Sequence, residues 1–227
     1  MVEPVHGGRS MLSVALHTIS LANLALWISK PNGLSFGAVI TCKDDEVIEI
    51  SNYSRMRRFK PHIDYFDQSV NHEDFVTACT VYQQLLVIDT DGSTWRAVYS
   101  LWTALRETDW ATRFMQVWMG LEALFGPADG RELSFRISQR IALFLKNDMP
   151  AARKLFANVK ESYQWRSKVV HGLHIAKLKP EDSRRLSLFA ERLMWRVLLK
   201  ELSDSHIMSI FESADRESFL DNLVFHR

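Results

Sequence analysis

Arg166 and His171 stand five positions apart in the stretch YQWRSKVVHG, residues 163–172. Their types suit work on a phosphate ester. An arginine guanidinium is a planar, permanently charged fork that matches phosphate oxygens. An imidazole gives and takes a proton near neutral pH. In the last turn of a helix it also meets the negative end of the helix dipole, which favours its charged form. Five positions along a straight helix amount to about 140° of rotation, so the two side chains point different ways. They converge only if the helix ends between them or if a second chain supplies the missing half. Gly172 fits the first route, since glycine just past a helix end readily takes the left-handed cap. The plainer reading is a capped helix end, because basic residues in a last turn satisfy free carbonyls and the dipole.

Helices able to hold such a pair are written into the surrounding sequence. Phe114, Val117, Trp118, Leu121, Leu124 and Phe125 recur at helical spacing until Gly126–Pro127 stops the run. Ile137, Ile141, Phe144 and Leu145 form a second stripe, with Arg136 and Arg140 one turn apart on one side of it. A third carries Leu155, Phe156, Val159 and Tyr163 and begins near Pro150, which suits a helix N-terminus. A fourth runs from about Pro180 to Leu202 through Leu186, Phe189, Leu193 and Val197. Four long helices with short connections predict a helical bundle.

The first third of the chain is mixed. Met11 to Ile28 has Leu12, Ala15, Leu16, Ile19, Ala22, Asn23 and Leu26 on one face. Its polar residues, and Arg9 as the one strong positive charge before it, predict a buried amphipathic helix rather than a leader or a membrane span. LSFGAVITC (34–42) and EVIEIS (46–51) read as two strands of a hairpin. Arg55, Arg57, Arg58 and Lys60 form a basic cluster, read as a solvated loop in preference to a binding patch. HEDFVTACTVYQQLLVI (72–88) reads as a helix, and the turn-rich DTDGS (89–93) is the best boundary. The expected fold class is therefore mainly α, with a smaller α+β region at residues 1–93 and the helical domain at 94–227.

The whole chain of 227 residues carries a formal charge of +1, but the charge is unevenly placed. Between Arg131 and Lys200 stand 16 Lys and Arg against 6 Asp and Glu, a surplus of ten positive charges, and the remainder is correspondingly acidic. Such a block either faces a polyanion or is neutralised across a packed interface. Cys42 and Cys79 lack metal-ligand spacing and make no disulfide framework, so a reducing cytoplasm is the simplest compartment.

From about Trp102 to Leu202 the chain resembles the HEPN superfamily, most closely its Apea-like group. WMGLEALFG (118–126), FRISQRIALFL (135–145) and YQWRSKVVHG carry the resemblance, the last as the family's R-x4–6-H signature. It implies a HEPN-type helical bundle that dimerises and brings two such motifs into one cleft. Many members act as metal-independent ribonucleases in toxin, antiphage or RNA-processing roles. Others are inactive modules for nucleotide or protein binding and dimerisation. The family often places Asn, Asp or His directly after the arginine, whereas this chain has Ser167, which can still hydrogen-bond.

The expected catalytic residues are then Arg166 and His171, acting on RNA in a homodimer, with an antitoxin or regulatory protein as a further partner and no membrane. No cofactor is expected, since no clear carboxylate or Cys/His ligand set appears. Arg136 and Arg140, with Lys168 near in sequence, are expected either to contact backbone phosphates or to form a solvated basic face. Glu122, on an otherwise apolar helix, either orients Arg166 by a charged hydrogen bond or marks the solvent edge. His174 assists the site or is a bystander, and Trp165 stacks on a base or packs at a dimer seam. A helical adaptor that docks its basic block on an acidic partner is the reading outside this family.

Overall fold

The computed structural model describes residues 11–31, 39–43, 46–51, 69–172 and 178–225. In chain order its elements are α1 (Met11–Ser29), β1 (Val39–Lys43), β2 (Glu46–Ser51), α2 (His72–Val87), α3 (Ser93–Ala104), α4 (Trp110–Phe125), α5 (Leu133–Leu145), α6 (Met149–Val170), α7 (Pro180–Leu202), α8 (Ser205–Phe211) and α9 (Arg216–Phe225). The protein is mainly α. β1 and β2 pair antiparallel, from Val39 opposite Ser51 to Lys43 opposite Glu46. The basic cluster of Arg55, Arg57, Arg58 and Lys60 lies outside the described residues.

The bundle is built around α4. All six residues of its apolar stripe, Phe114, Val117, Trp118, Leu121, Leu124 and Phe125, have no exposed surface, and α3, α5, α6 and α7 pack around them. Asp109 starts the helix by accepting the Thr112 N–H at 2.8 Å. Gly120 lets α3 come close, because a Cβ there would lie 3.2 Å from the Cα of Ala97. Across the bundle Arg113 of α4 meets Glu191 of α7, with Nε 2.6 Å from Oε1 and Nη2 donating to Oε2 at 2.8 Å. Both side chains are buried, at 5% and 1% exposure. An ion pair withdrawn this far from water holds only when both partners are present.

α1 differs from its expected face. The side chains it seals are Leu21, Leu24, Ala25, Trp27 and Ile28, while Ala15, Leu16, Ile19, Ala22 and Leu26 stay half-buried. The reason is that α1 packs against both α2 and α7, so one stripe does not account for its burial. The indole of Trp195 on α7 donates to the Ile28 carbonyl at 2.8 Å. Asn23 is buried as expected, at 2% exposure. No helix among the described residues is long and apolar enough to cross a membrane. Asp89–Ser93 is a turn leading straight into α3, and residues of α1 and α2 share one apolar core with those of α3 to α9.

Two short helices close the far end. Phe211 of α8 sits edge-on to Phe125 at 5.7 Å and lies 5.5 Å from Phe144. Below it, fully buried Glu201 accepts the Thr94 hydroxyl on Oε1 at 2.7 Å. Its Oε2 has no hydrogen-bond partner among the described residues. Burial pushes this carboxyl up to about 8; the Thr94 hydrogen bond pulls the other way, the Glu212 charge adds to the rise and Arg216 opposes it. An unfolded glutamate titrates at the ordinary value of 4.5, so between that pH and about 8 the native state holds the extra proton. Stability must therefore fall as pH rises through this window. The stability difference between Glu201→Gln and the unmodified chain, read from urea unfolding, is expected to grow in favour of the variant from pH 4.5 to about 8. A constant difference would show that Glu201 is already ionised in the fold.

Candidate active site

α6 carries both expected catalytic residues. Asp148 starts it by accepting the Ala151 N–H at 2.8 Å, with Pro150 in the first turn. Leu155, Val159 and Tyr163 are buried, fixing the rotation of the helix. The helix runs through Val170, and His171 caps it at φ −84° and ψ 7°, its N–H donating to the Ser167 carbonyl at 3.2 Å. Gly172 then takes φ +65°, the left-handed closing conformation anticipated for it. The helix ends only at Val170, and His171, the next residue, keeps a near-helical φ. The helix end therefore comes too late to remove most of the offset of about 140° between the two positions.

Arg166 turns inward, toward α4. Its Nη2 donates to Oε2 of Glu122 at 2.8 Å, and its Nε lies 2.8 Å from Oε1 in ion-pair contact. The Nε contact lacks hydrogen-bond alignment, so the charge attraction there outweighs directionality. Both side chains are 24% exposed. Glu122 thus occupies the Nε edge of the guanidinium. An arginine has five N–H donors, which leaves the Nη1 edge to receive a second oxyanion.

Tyr163 completes the mounting, one helical turn before Arg166. Its ring centroid lies 5.7 Å from the guanidinium carbon and it meets Trp118 edge-on at 5.1 Å. Burial pushes its phenol up to about 12, and the Glu122 charge and the hydrogen bond to Glu122 push the same way, against Arg166. The phenol is therefore neutral across the physiological range. Sequence reasoning placed Tyr163 on the apolar stripe alone. Its spacing of three from Arg166 was the available signal, since residues three apart share a helix face.

His171 is exposed at the helix end, and Ser167 is half-buried between it and Arg166. Lys168 lays its ammonium 4.2 Å above the Trp165 ring, and Trp165 packs against the core. His174 lies outside the described residues.

Arg136 and Arg140 require a correction. Arg140 is sealed from solvent, and Arg136, still 23% exposed, is engaged by carboxylates. Arg140 is 1% exposed; it donates to the Phe125 carbonyl at 3.1 Å and to Asp221 at 2.7 Å, and it pairs with Glu217 as well. Arg136 meets Asp129 at 2.8 Å and Glu217 at 3.2 Å. Both arginines fasten α9 to α5, because burial demands carboxylates that the short helix α9 supplies.

No family model, curated protein or solved structure matches this chain. The site consequently stands on its geometry. In a double-mutant cycle, Glu122→Gln and Arg166→Gln are expected to show a coupling of about 1–2 kcal/mol in denaturant unfolding. Additive effects would mean that Glu122 does not hold the fork.

Proposed function

We propose that the chain is a metal-independent endoribonuclease of the HEPN type, with its site shared between two copies. The observation that carries this reading is the Glu122–Arg166 pair. It holds a half-buried guanidinium by one edge, on the same helix whose end exposes His171. A phosphate fork and an exposed imidazole supply what RNA cleavage by its own ribose needs. His171 of one copy takes the proton from the 2′-hydroxyl, whose oxygen attacks the adjacent phosphorus. The bond from phosphorus to the 5′-oxygen breaks, and His171 of the second copy protonates the departing oxygen. The products are a 2′,3′-cyclic phosphate and a 5′-hydroxyl. The Nη1 edge of Arg166 stabilises the charge growing on the phosphoryl oxygens. Because Arg166 and His171 diverge on one helix, two antiparallel copies are what could face both groups toward one linkage. Such an enzyme suits a toxin or antiphage role, restrained by an antitoxin or regulatory protein in the cytoplasm.

A second reading, an inactive HEPN module that binds nucleotide or protein through its dimer, is favoured by Ser167. This residue stands beside Arg166 where the family often carries Asn, Asp or His.

In the presence of EDTA the purified protein is expected to cut RNA and to leave DNA of the same sequence intact, since DNA lacks the attacking hydroxyl. His171→Ala is expected to lower the rate by at least about 10²-fold while its circular dichroism and melting curve stay unchanged. Equal cutting of DNA, or undiminished RNA cleavage by the variant, removes the assignment. Nucleotide binding without turnover would select the second reading.

A further inference from the structure

A cavity of about 240 Å3 opens where three helices meet. Phe135 and Gln139 of α5, Met149, Arg153 and Phe156 of α6, and Val224 of α9 line it. Its walls are apolar except at two points, the Gln139 amide and the Arg153 guanidinium, and among the described residues no acid lines it. The carboxylates of Glu217 and Asp221 on α9 are already engaged by Arg136 and Arg140. The first turn of α6 forms one side, so the positive end of its dipole adds to the Arg153 charge. Asp148 offsets part of that effect, because its carboxylate caps the same turn.

The two polar groups of the cavity are uncommitted. Gln139 is half-buried and Arg153 exposed, and neither makes a hydrogen bond or ion pair with any described residue. Arg113, Arg136, Arg140 and Arg166 all hold carboxylates, by contrast. Lys160, one turn beyond Phe156, brings a second positive charge, with its Nζ 5.7 Å from the centroid of that ring.

The apolar part has a shape of its own. Phe135 and Phe156 meet edge-on, with centroids 5.4 Å apart and planes at 72°, so the rings form a corner. A third ring seated there meets one by its face and the other by its edge, the arrangements that aromatic pairs favour. The thioether of Met149 is a polarizable neighbour for such a ring. Phe135 and Met149 each keep 44% of their surface exposed, apolar area that an occupant would cover. An apolar cavity of roughly 150 Å3 holds one benzene ring, so this one has room for a ring, a short side chain and a head group.

We propose that the cavity binds a small aryl acid, with its ring in the Phe135–Phe156 corner and its carboxylate or phosphate head on Arg153. Gln139, both donor and acceptor, supplies the remaining hydrogen bond. Arg153 stands thirteen positions before Arg166 on α6, about 20 Å along the axis. The site is therefore separate from the proposed reaction centre and does not rest on the ribonuclease reading.

The test is isothermal titration of the full-length chain with cinnamate, phenyl phosphate, uncharged cinnamyl alcohol and nonanoate. At least one aryl acid is expected to bind with a dissociation constant below about 1 mM, and the tighter of the two identifies the head group. Cinnamyl alcohol is expected to bind at least about tenfold more weakly than that acid, since it lacks the charge that Arg153 meets. Arg153→Gln is expected to weaken the acid about tenfold and to leave the alcohol unchanged. Lys154→Gln removes the adjacent exposed cation outside the cavity and is expected to shift affinity less than about twofold. Phe135→Ala is expected to weaken acid and alcohol alike. Phe135 and Arg153 are both exposed, so the melting curves of their variants are expected to match that of the unmodified chain. Acid binding that survives Arg153→Gln, or that falls equally with Lys154→Gln, would overturn the proposal. Nonanoate binding as tightly as the aryl acids would do the same, as would the failure of both aryl acids to bind.

Discussion

Taking a charged side chain out of water costs several kcal/mol unless an opposite charge meets it in good geometry, and this bundle takes out several. Arg113 is matched by Glu191, Arg140 by Glu217 and Asp221, and Arg166 by Glu122. Each match joins two helices, α4 to α7, α5 to α9 and α6 to α4. Apolar stripes bring the helices together, but a stripe tolerates sliding and rotation more readily than a two-point contact between a guanidinium and a carboxylate. The pairs therefore fix which turn of one helix faces which turn of the next. Arg113 and Arg140 are consumed by this duty. Arg166 is only partly withdrawn, so the contact that locates it still leaves part of its fork at the surface.

This constraint also explains what could be read from the residues alone. The long helices were legible because apolar side chains at i, i+3 and i+4 have one physical outcome, burial, and α4, α6 and α7 follow their stripes closely. Glu122 was legible as one of two things, a partner for Arg166 or the solvent edge, because a lone acid on an apolar helix has few reasons to be there; the pairing with Arg166 decides it. Arg136 and Arg140 were misleading. A pair of arginines one turn apart looks the same whether it faces solvent, phosphate or carboxylates. The carboxylates that claim Arg140 lie 77 and 81 positions further along, on a helix with no periodic stripe to announce it. The surplus of charge between Arg131 and Lys200 was real in number, yet part of it is neutralised internally, which counting does not reveal.

In the proposed ribonuclease the work is divided between these rigid pairs and the less committed surface. The interior face of α6 is fixed by Tyr163, Trp118 and Glu122, which holds the guanidinium in a single pose before any ligand arrives. That is the condition under which electrostatic stabilisation is most effective, since little reorganisation is needed as charge develops. The outer face, with His171 at the helix end, keeps its polar groups accessible. One helix thus serves as both anchor and working edge.

The ties between α5 and α9 have a consequence for how the molecule comes into being. A ribosome adds roughly 5–20 residues per second, so Arg140 is synthesised roughly 4–15 s before Glu217 reaches the growing end. During that interval the nascent bundle carries a guanidinium destined for the interior with its counter-charges still unmade. Its maturation therefore waits until α9 has been made, and Phe211, which caps Phe125 and Phe144, is made only a few residues earlier.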